Sequence, residues 1–332
     1  MKTFVTGATG FVGWHLAKVL VDRGDGVRCL ARPGSVVDGL GELAVDVVPG
    51  DLRNLDSLRA GIDGVDVVYH CAADYRLYVP DPAAMYASNV DGTNNIMQAA
   101  SDCGVQKVVY TSTVGALGLH ADGTPGDERS PVALEKMTGH YKRSKFLAER
   151  AADEWAARGL PVVTVNPSAP IGERDVKPTA TGQMIVDFMR GKMKAYVDTG
   201  LNLVDVRDVA LGHVLAAEKG RVGEKYILGH CNMTLKSILD ELAKITGLPA
   251  PNVRLPHWIP LAAAYVDTGL ARVMHRQPRI AVDAVRLSRY RMFFDSSKAV
   301  RELGLPQTPV EEPLRRAVEW YRQNGFVRRA AA

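Results

Sequence analysis

A doubly wound parallel α/β sheet with a smaller, mostly helical second lobe is the fold class predicted by this 332-residue sequence, on three observations. A glycine turn, Thr6-Gly7-Ala8-Thr9-Gly10-Phe11-Val12-Gly13, lies between an apolar run and an amphipathic segment at the N-terminus. Short valine-rich runs then alternate with helical or loop segments as far as Asn166. Beyond Asn166, Pro167, Pro170 and Pro178 break the chain into loops, and helical periodicity takes over.

The first strand is the apolar run at Phe4-Val5, and the first helix carries Leu16, Val19 and Leu20 on one face. Glycines in the turn between them allow a sharp bend, a close approach to phosphates and packing of the helix onto the strand. The helix N-terminus directs free N–H groups and a partial positive charge at an anion. The Gly-x-x-Gly-x-x-Gly spacing differs from the Gly-x-Gly-x-x-Gly dinucleotide fingerprint in its first glycine, and the turn lacks the Gly-Lys-Ser/Thr ending of a nucleotide triphosphatase loop. Further strands are expected at 26–31, 44–48, 65–70, 107–112 and 161–166. These runs are nearly all apolar, as parallel strands buried on both faces require. Long helices at 82–103 and 139–158 are rich in small residues and suit packing on the sheet or against a partner subunit. The second half is expected to form helices at 182–190, 209–219, 235–246, 261–274 and 313–324. Residues 1–166 thus read as the dinucleotide-binding domain, and 167–332 as mainly a substrate-binding lobe partly interleaved with the sheet. There is no obvious linker, internal repeat or low-complexity tract beyond the alanines at 330–332.

Composition narrows the function classes. The chain is 46% hydrophobic and 23% charged, ordinary values for a globular protein. Its net charge of +4 is small for the length and its basic residues are scattered apart from short groups such as Arg328-Arg329, which argues against nucleic-acid binding. Cys29, Cys71, Cys103 and Cys231 stand far apart, which fits a reducing compartment and no structural zinc; the histidines show no ligand spacing either. The N-terminus enters a strand without a secretory leader, so the cytoplasm is the expected location. The longest apolar run, 258–266, is too short to span a bilayer.

The second chemical stretch is Tyr141-Lys142-Arg143-Ser144-Lys145. Residues four apart share a helix face, so the Tyr141 hydroxyl and the Lys145 ammonium can reach one site. Among eleven tyrosines only Tyr141 has a lysine four residues on, and it follows the fifth strand, where open α/β sheets bind ligands. Tyr110-Thr111-Ser112-Thr113 places hydroxyls at the end of that strand.

With these motifs the chain resembles the extended short-chain dehydrogenases/reductases, in the epimerase/dehydratase and dihydroflavonol-reductase branch, whose dinucleotide-binding domain is a Rossmann fold. The resemblance runs nearly end to end. It includes Thr6–Gly13, Gly50-Asp51-Leu52, His70-Cys71-Ala72-Ala73, Asn89-Val90-Asp91-Gly92-Thr93, the hydroxyl strand end, Tyr141/Lys145, Asn166-Pro167-Ser168 and the tail from Asp295 to Gly304. Within the branch it is most similar to bacterial hopanoid-associated sugar epimerases.

The resemblance implies a role for each residue. Tyr141 would be the acid/base during hydride transfer, with a phenol depressed by about 3 pH units, about 4 kcal/mol, to act near neutrality. Lys145 and, in its oxidised form, the nicotinamide ring would help that depression, and Lys145 would also bond the ribose. Thr113 would steady the substrate oxygen, with Ser112 as the alternative. Gly7, Gly10, Phe11, Val12 and Gly13 would hold the diphosphate, Asp51 and Leu52 the adenine, Ala72 and Ala73 would line the cofactor, and Pro167 and Ser168 would sit beside the nicotinamide. The second strand ends at Leu30-Ala31-Arg32 with no acid to grip a ribose 2′-hydroxyl, so NADP(H) is favoured over NAD(H), with Arg32 on the 2′-phosphate.

Other residues take plainer expectations. His70 belongs to a buried strand end, and Asn89 bonds neighbouring backbone. Tyr75, Arg76 and Tyr78 lie in the loop facing the substrate side, divided evenly between solvent exposure and substrate contact. Asp205 and Asp208 are structural, whereas Arg207 can reach a ligand. The 258–266 run is most simply core, although a lipid substrate would make it a peripheral membrane-touching patch. The activity expected is that of a hopanoid-associated sugar epimerase acting on a small molecule as a monomer or homodimer, with an NADPH-dependent, dihydroflavonol-reductase-like carbonyl reductase as the alternative and a non-catalytic dinucleotide-binding protein as the remaining reading.

Overall fold

Valine-rich segments in the first half supply six strands: β1 (Lys2–Thr6), β2 (Gly26–Ala31), β3 (Val45–Pro49), β4 (Val67–His70), β5 (Lys107–Thr111) and β6 (Val162–Pro167). The connections are α1 (Phe11–Asp22), α2 (Leu55–Ile62), a helix made of α3 (Ala83–Tyr86), a π-helical turn (Ala87–Asp91) and α4 (Gly92–Asp102), and α5 (Gly139–Ala157). This computed structural model describes residues 1–76, 79, 81–120, 122–274, 276 and 282–327, and Tyr78 lies outside the described residues.

The second half supplies β7 (Ala169–Ile171), α6 (Ala180–Met189), β8 (Ala195–Val197), β9 (Gly200–Asp205), α7 (Val206–Lys219), β10 (Lys225–Leu228) and β11 (Cys231–Thr234). It continues through α8 (Leu235–Thr246), β12 (Val253–Leu255), α9 (Trp258–Val273), α10 (Val282–Leu287), β13 (Arg291–Met292), α11 (Ser297–Leu303) and α12 (Glu311–Gln323).

The main sheet has seven parallel strands in the order β10-β6-β5-β4-β1-β2-β3. Two apolar layers cover it. Leu16 and Leu20 of α1 pack with Val209 and Val214 of α7 on one face, and Leu58, Ile96, Ala148 and Ala152 of α2, α4 and α5 fill the other. The chain thus returns to this sheet late, through β10 and α7. Elsewhere the second half carries more strand than its periodicity indicates. β9 pairs with β7, β11 and β13, β12 pairs with β8, and α6, α8 and α12 close a separate core around Ile185, Leu239 and Leu314. No helix among the described residues is long and apolar enough to cross a membrane.

One expectation is corrected here. The 258–266 run is not core: α9 buries Ala264 and Ala271, while Trp258, Tyr265 and Val266 of the run, and Leu270 and Met274 after it, are each more than half exposed.

Candidate active site

Strand order reverses between β1 and β4, and the glycine turn sits at that crevice. Gly7 has φ +78°, and a Cβ on it would stand 2.7 Å from the Ala72 nitrogen; a Cβ on Gly13 would stand 2.2 Å from the Gly7 carbonyl oxygen. The first glycine therefore lets the turn meet the loop after β4, and the third lets α1 close onto the turn. Gly10 is the exposed N-cap of α1; no side chain caps this helix and its first turn has no acid. The first-turn amides, including those of Phe11, Val12 and Gly13, thus remain available to an anion.

Below the turn a buried relay joins three elements. The Ala72 N–H donates to Thr6 Oγ1 (3.1 Å), which bonds His70 Nδ1 (2.7 Å); His70 Nε2 bonds Thr93 Oγ1 (3.1 Å), which donates to the Asn89 carbonyl (2.6 Å). Because Thr93 spends its proton on Asn89, Nε2 carries the histidine's proton and Nδ1 accepts from Thr6. Burial lowers His70 to about 3, so it stays neutral and structural. Asn89, on the π-helical turn, holds the Asp74 backbone N–H (2.7 Å) and C=O (2.9 Å) and donates to Ser144 Oγ (2.9 Å). It fixes the loop after β4 against the helix that carries Tyr141.

Helix α5 presents Tyr141 and Lys145 to the end of β5. Thr113 lies beside the Tyr141 side chain and accepts the Gly115 N–H at 3.1 Å. Lys145 is buried; its Nζ donates to the Thr111 carbonyl (2.7 Å) and to Tyr110 Oη (3.0 Å). Burial brings its ammonium down to about 8, against the pull of Glu149. In the chain alone, burial raises the Tyr141 phenol above its ordinary value and Thr113 pulls the other way. The lysine's own hydrogen bonds go to β5.

Ser112 and Thr113 separate because successive residues of the extended backbone just after β5 face opposite ways. Ser112 turns inward and donates to Glu149 Oε2 at 2.5 Å, leaving Thr113 as the hydroxyl beside Tyr141. Glu149 is a site residue that sequence reasoning missed. It is fully buried, eight residues beyond Tyr141 and four beyond Lys145, and receives Asn166 Nδ2 (2.8 Å) and Lys225 Nζ (2.6 Å) as well. Asn166 also donates to the Thr113 carbonyl (3.1 Å), so one carboxylate ties β5, β6 and β10 under the hydroxyl pair. The signal for it was the Tyr141/Lys145/Glu149 spacing together with the alanines beside Glu149.

At the other end of the crevice, Asp51 is clamped by Arg53, which holds its carboxyl down at about 2, and Arg76 likewise holds Asp74 low. Arg32, exposed just after β2, has no ion pair among the described residues, although its charge is felt at both aspartates. Leu52 is buried and its carbonyl accepts Asn95 Nδ2 at 2.8 Å. Ala72 and Ala73 are half-buried in the loop after β4, and Pro167 ends β6. Ser168 Oγ, beside Pro167, is buried without a hydrogen-bond partner among the described residues. The uncapped helix, the glycine turn, the unpaired arginine and the orphaned hydroxyl lie along one sheet edge and fit a dinucleotide.

On the substrate side, Tyr75 is half exposed and its hydroxyl reaches the Lys177 carbonyl at 3.5 Å. Arg207 pairs with Glu173 at 2.7 Å, and Arg316 joins Glu173 to Asp205; Asp208 accepts Thr308. Lys142, next to Tyr141, is brought to about 8 by burial and is a further group sequence reasoning passed over.

A glycine turn at the switch point of a parallel sheet, facing a Tyr/Lys helix, defines a nicotinamide-dinucleotide enzyme of the Rossmann type. Residues 3–229 match the model of the NAD dependent epimerase/dehydratase family, and the chain belongs to that family. It is 46% identical over 329 residues to a "Putative dihydroflavonol 4-reductase" from Synechocystis, covering 98% of this chain and 96% of the relative. It is 36% identical to "Sterol demethylase protein B" from Methylococcus capsulatus, covering 98% and 100%. A nucleoside-diphosphate-sugar epimerase structure from Pseudomonas aeruginosa superposes with TM-score 0.82 at 28% identity, covering 99% of both chains.

Proposed function

We propose that this protein is a carbonyl reductase that prefers NADP(H), with Tyr141 as the proton donor. The observation that carries the reading is the placement of the groups: α5 sets Tyr141 and the buried Lys145 beside Thr113 at the sheet edge that also holds the glycine turn and Arg32, unpaired among the described residues. Burial pushes the Tyr141 phenol above its ordinary value, toward the protonated form, and Thr113 lies beside it. A protonated phenol is the acid that carbonyl reduction needs; oxidation of an alcohol needs the phenolate.

When bound, the reduced nicotinamide supplies the hydride. The chain's own residues do the rest. Thr113 and Tyr141 take hold of the carbonyl oxygen, Tyr141 gives it a proton as the carbon receives hydride, and the product is a secondary alcohol. The phenolate left behind is stabilised by the positive charge of Lys145 and recovers its proton from solvent. Ser168 supplies the orphaned hydroxyl beside the ring, and Arg32 addresses the ribose 2′-phosphate. The name of the Synechocystis relative supports reduction, and that of the Methylococcus relative supports an apolar polycyclic substrate.

A second reading, a hopanoid-associated sugar epimerase using the same residues, is favoured by the superposition on the nucleoside-diphosphate-sugar epimerase. The two differ in stoichiometry. Identification of the copurified cofactor, followed by a carbonyl panel read at the nicotinamide absorbance, separates them. A reductase consumes NADPH in step with substrate; an epimerase inverts its sugar with no net change in cofactor.

A further inference from the structure

Helix α9 presents a continuous apolar stripe to solvent. Trp258, Ala262, Tyr265, Val266, Gly269, Leu270 and, just past the helix end, Met274 are all exposed, at the spacing of one helical face. The helix rests on the protein through Ala264 and Ala271. Such a face on a chain of this size marks an interaction surface.

The surroundings identify what it suits. Residues 272–291 contain six arginines and one acid, Asp283; Arg276 pairs with Asp267, Arg286 with Asp283 and Arg291 with Asp198. Arg286 is exposed and donates to Tyr265 Oη at 2.7 Å, placing a cation on the flank of the stripe. Arg289 is exposed and has no ion pair among the described residues. Aromatic side chains on an apolar face flanked by arginines match the interface of an anionic bilayer, where rings sit at headgroup depth and cations meet phosphates. Arg286 on the flank of the stripe disfavours its covering by a second copy, which would bring like charges together.

The stripe also connects to the active site. α10 packs against α9, and Asp283 on α10 lies against Gly139, where a Cβ would stand 2.8 Å from Asp283 Oδ2. Gly139 opens α5, two residues before Tyr141. We propose that the exposed face of α9, with its flanking arginines, docks this protein on an anionic phospholipid surface and delivers an apolar carbonyl substrate from the bilayer to Tyr141. The delivery step rests on the reductase reading; the docking step does not.

The full chain is to be mixed with vesicles of phosphatidylcholine, with and without phosphatidylglycerol, and bound protein measured by flotation. Wild type is expected to float with the phosphatidylglycerol vesicles and to release at high salt. Brominated lipid should quench its tryptophan fluorescence, and Trp258→Phe should lose that quenching. The double variant Trp258→Ser/Leu270→Ser should bind at least about tenfold more weakly with NADPH affinity and melting temperature unchanged. Absence of vesicle binding overturns the docking, as does undiminished binding by the double variant, or a wild-type dimer that the double variant converts to monomer. With carbonyl substrates, the double variant should slow turnover of a vesicle-embedded ketone and spare a water-soluble one. Equal slowing of both overturns delivery. If wild type binds vesicles but consumes NADPH with neither ketone, the reductase reading and delivery fall while docking stands.

Discussion

Replacing Glu149 by glutamine tests whether the buried carboxylate organises the catalytic hydroxyls. Its Oε1 accepts Lys225 Nζ, and its Oε2 accepts Ser112 Oγ and Asn166 Nδ2. A glutamine keeps the shape but turns one acceptor into a donor. If the NH2 lies at the Oε2 position it confronts the Asn166 amide; at Oε1 it confronts the Lys225 ammonium. One donor–donor contact is unavoidable, and Lys225 keeps only Asp153 as an ion-pair partner. Removing one member of a buried charged cluster costs about 3 kcal/mol, which lowers the melting temperature of a chain this long by roughly 4 °C. The change also reaches the chemistry. Glu149 is the main influence holding Lys145 up against burial, which has brought it to about 8. Without that negative charge the lysine loses its proton at lower pH, so the alkaline fall in kcat moves toward neutrality. Thermal melts and a kcat–pH profile measure the two effects. An unchanged melting temperature together with an unchanged alkaline limb would refute the role given to Glu149.

Three further substitutions probe the other parts of the site. Arg32→Ala should weaken NADPH binding about tenfold to a hundredfold, the value of a charge-assisted contact, and leave NADH binding unchanged; equal losses for both cofactors in a titration would remove Arg32 from the 2′-phosphate. Ser112→Ala should lower the melting temperature by leaving Glu149 one donor short, whereas Thr113→Val should lower kcat with little effect on melting; the reverse pattern would exchange their roles. Gly7→Ala should destabilise the chain by more than about 2 kcal/mol, because left-handed backbone and a clash with the loop after β4 add together; a melt within a degree of wild type would contradict the packing described for the turn.

The central sheet was legible in the sequence because its strands are buried on both faces, so their apolar runs stand out without alternation, and because Gly7, Gly10 and Gly13 mark the first crossover. Tyr141 and Lys145 were legible from spacing alone. Glu149 was hidden, since a glutamate on a helix reads as solvated unless the strand ends beneath it are known to supply donors. The adjacent hydroxyls Ser112 and Thr113 could not be told apart until the end of β5 had a direction. Strands of two to four residues, such as β8, β12 and β13, are too short to show a period of two. The α9 run illustrates a different limit: apolar periodicity reports that a face seeks cover, and the sequence read it as core when the cover lies outside the chain.

The protonated Tyr141 phenol as proton donor to a carbonyl is tested most directly by net NADPH oxidation with a reducible ketone, comparing wild type with Tyr141→Phe at equal NADPH saturation. The account predicts stoichiometric NADPH consumption by wild type and a loss of about 10²- to 10⁴-fold in kcat for the variant, with NADPH affinity preserved. Turnover by Tyr141→Phe within a few-fold of wild type would contradict it.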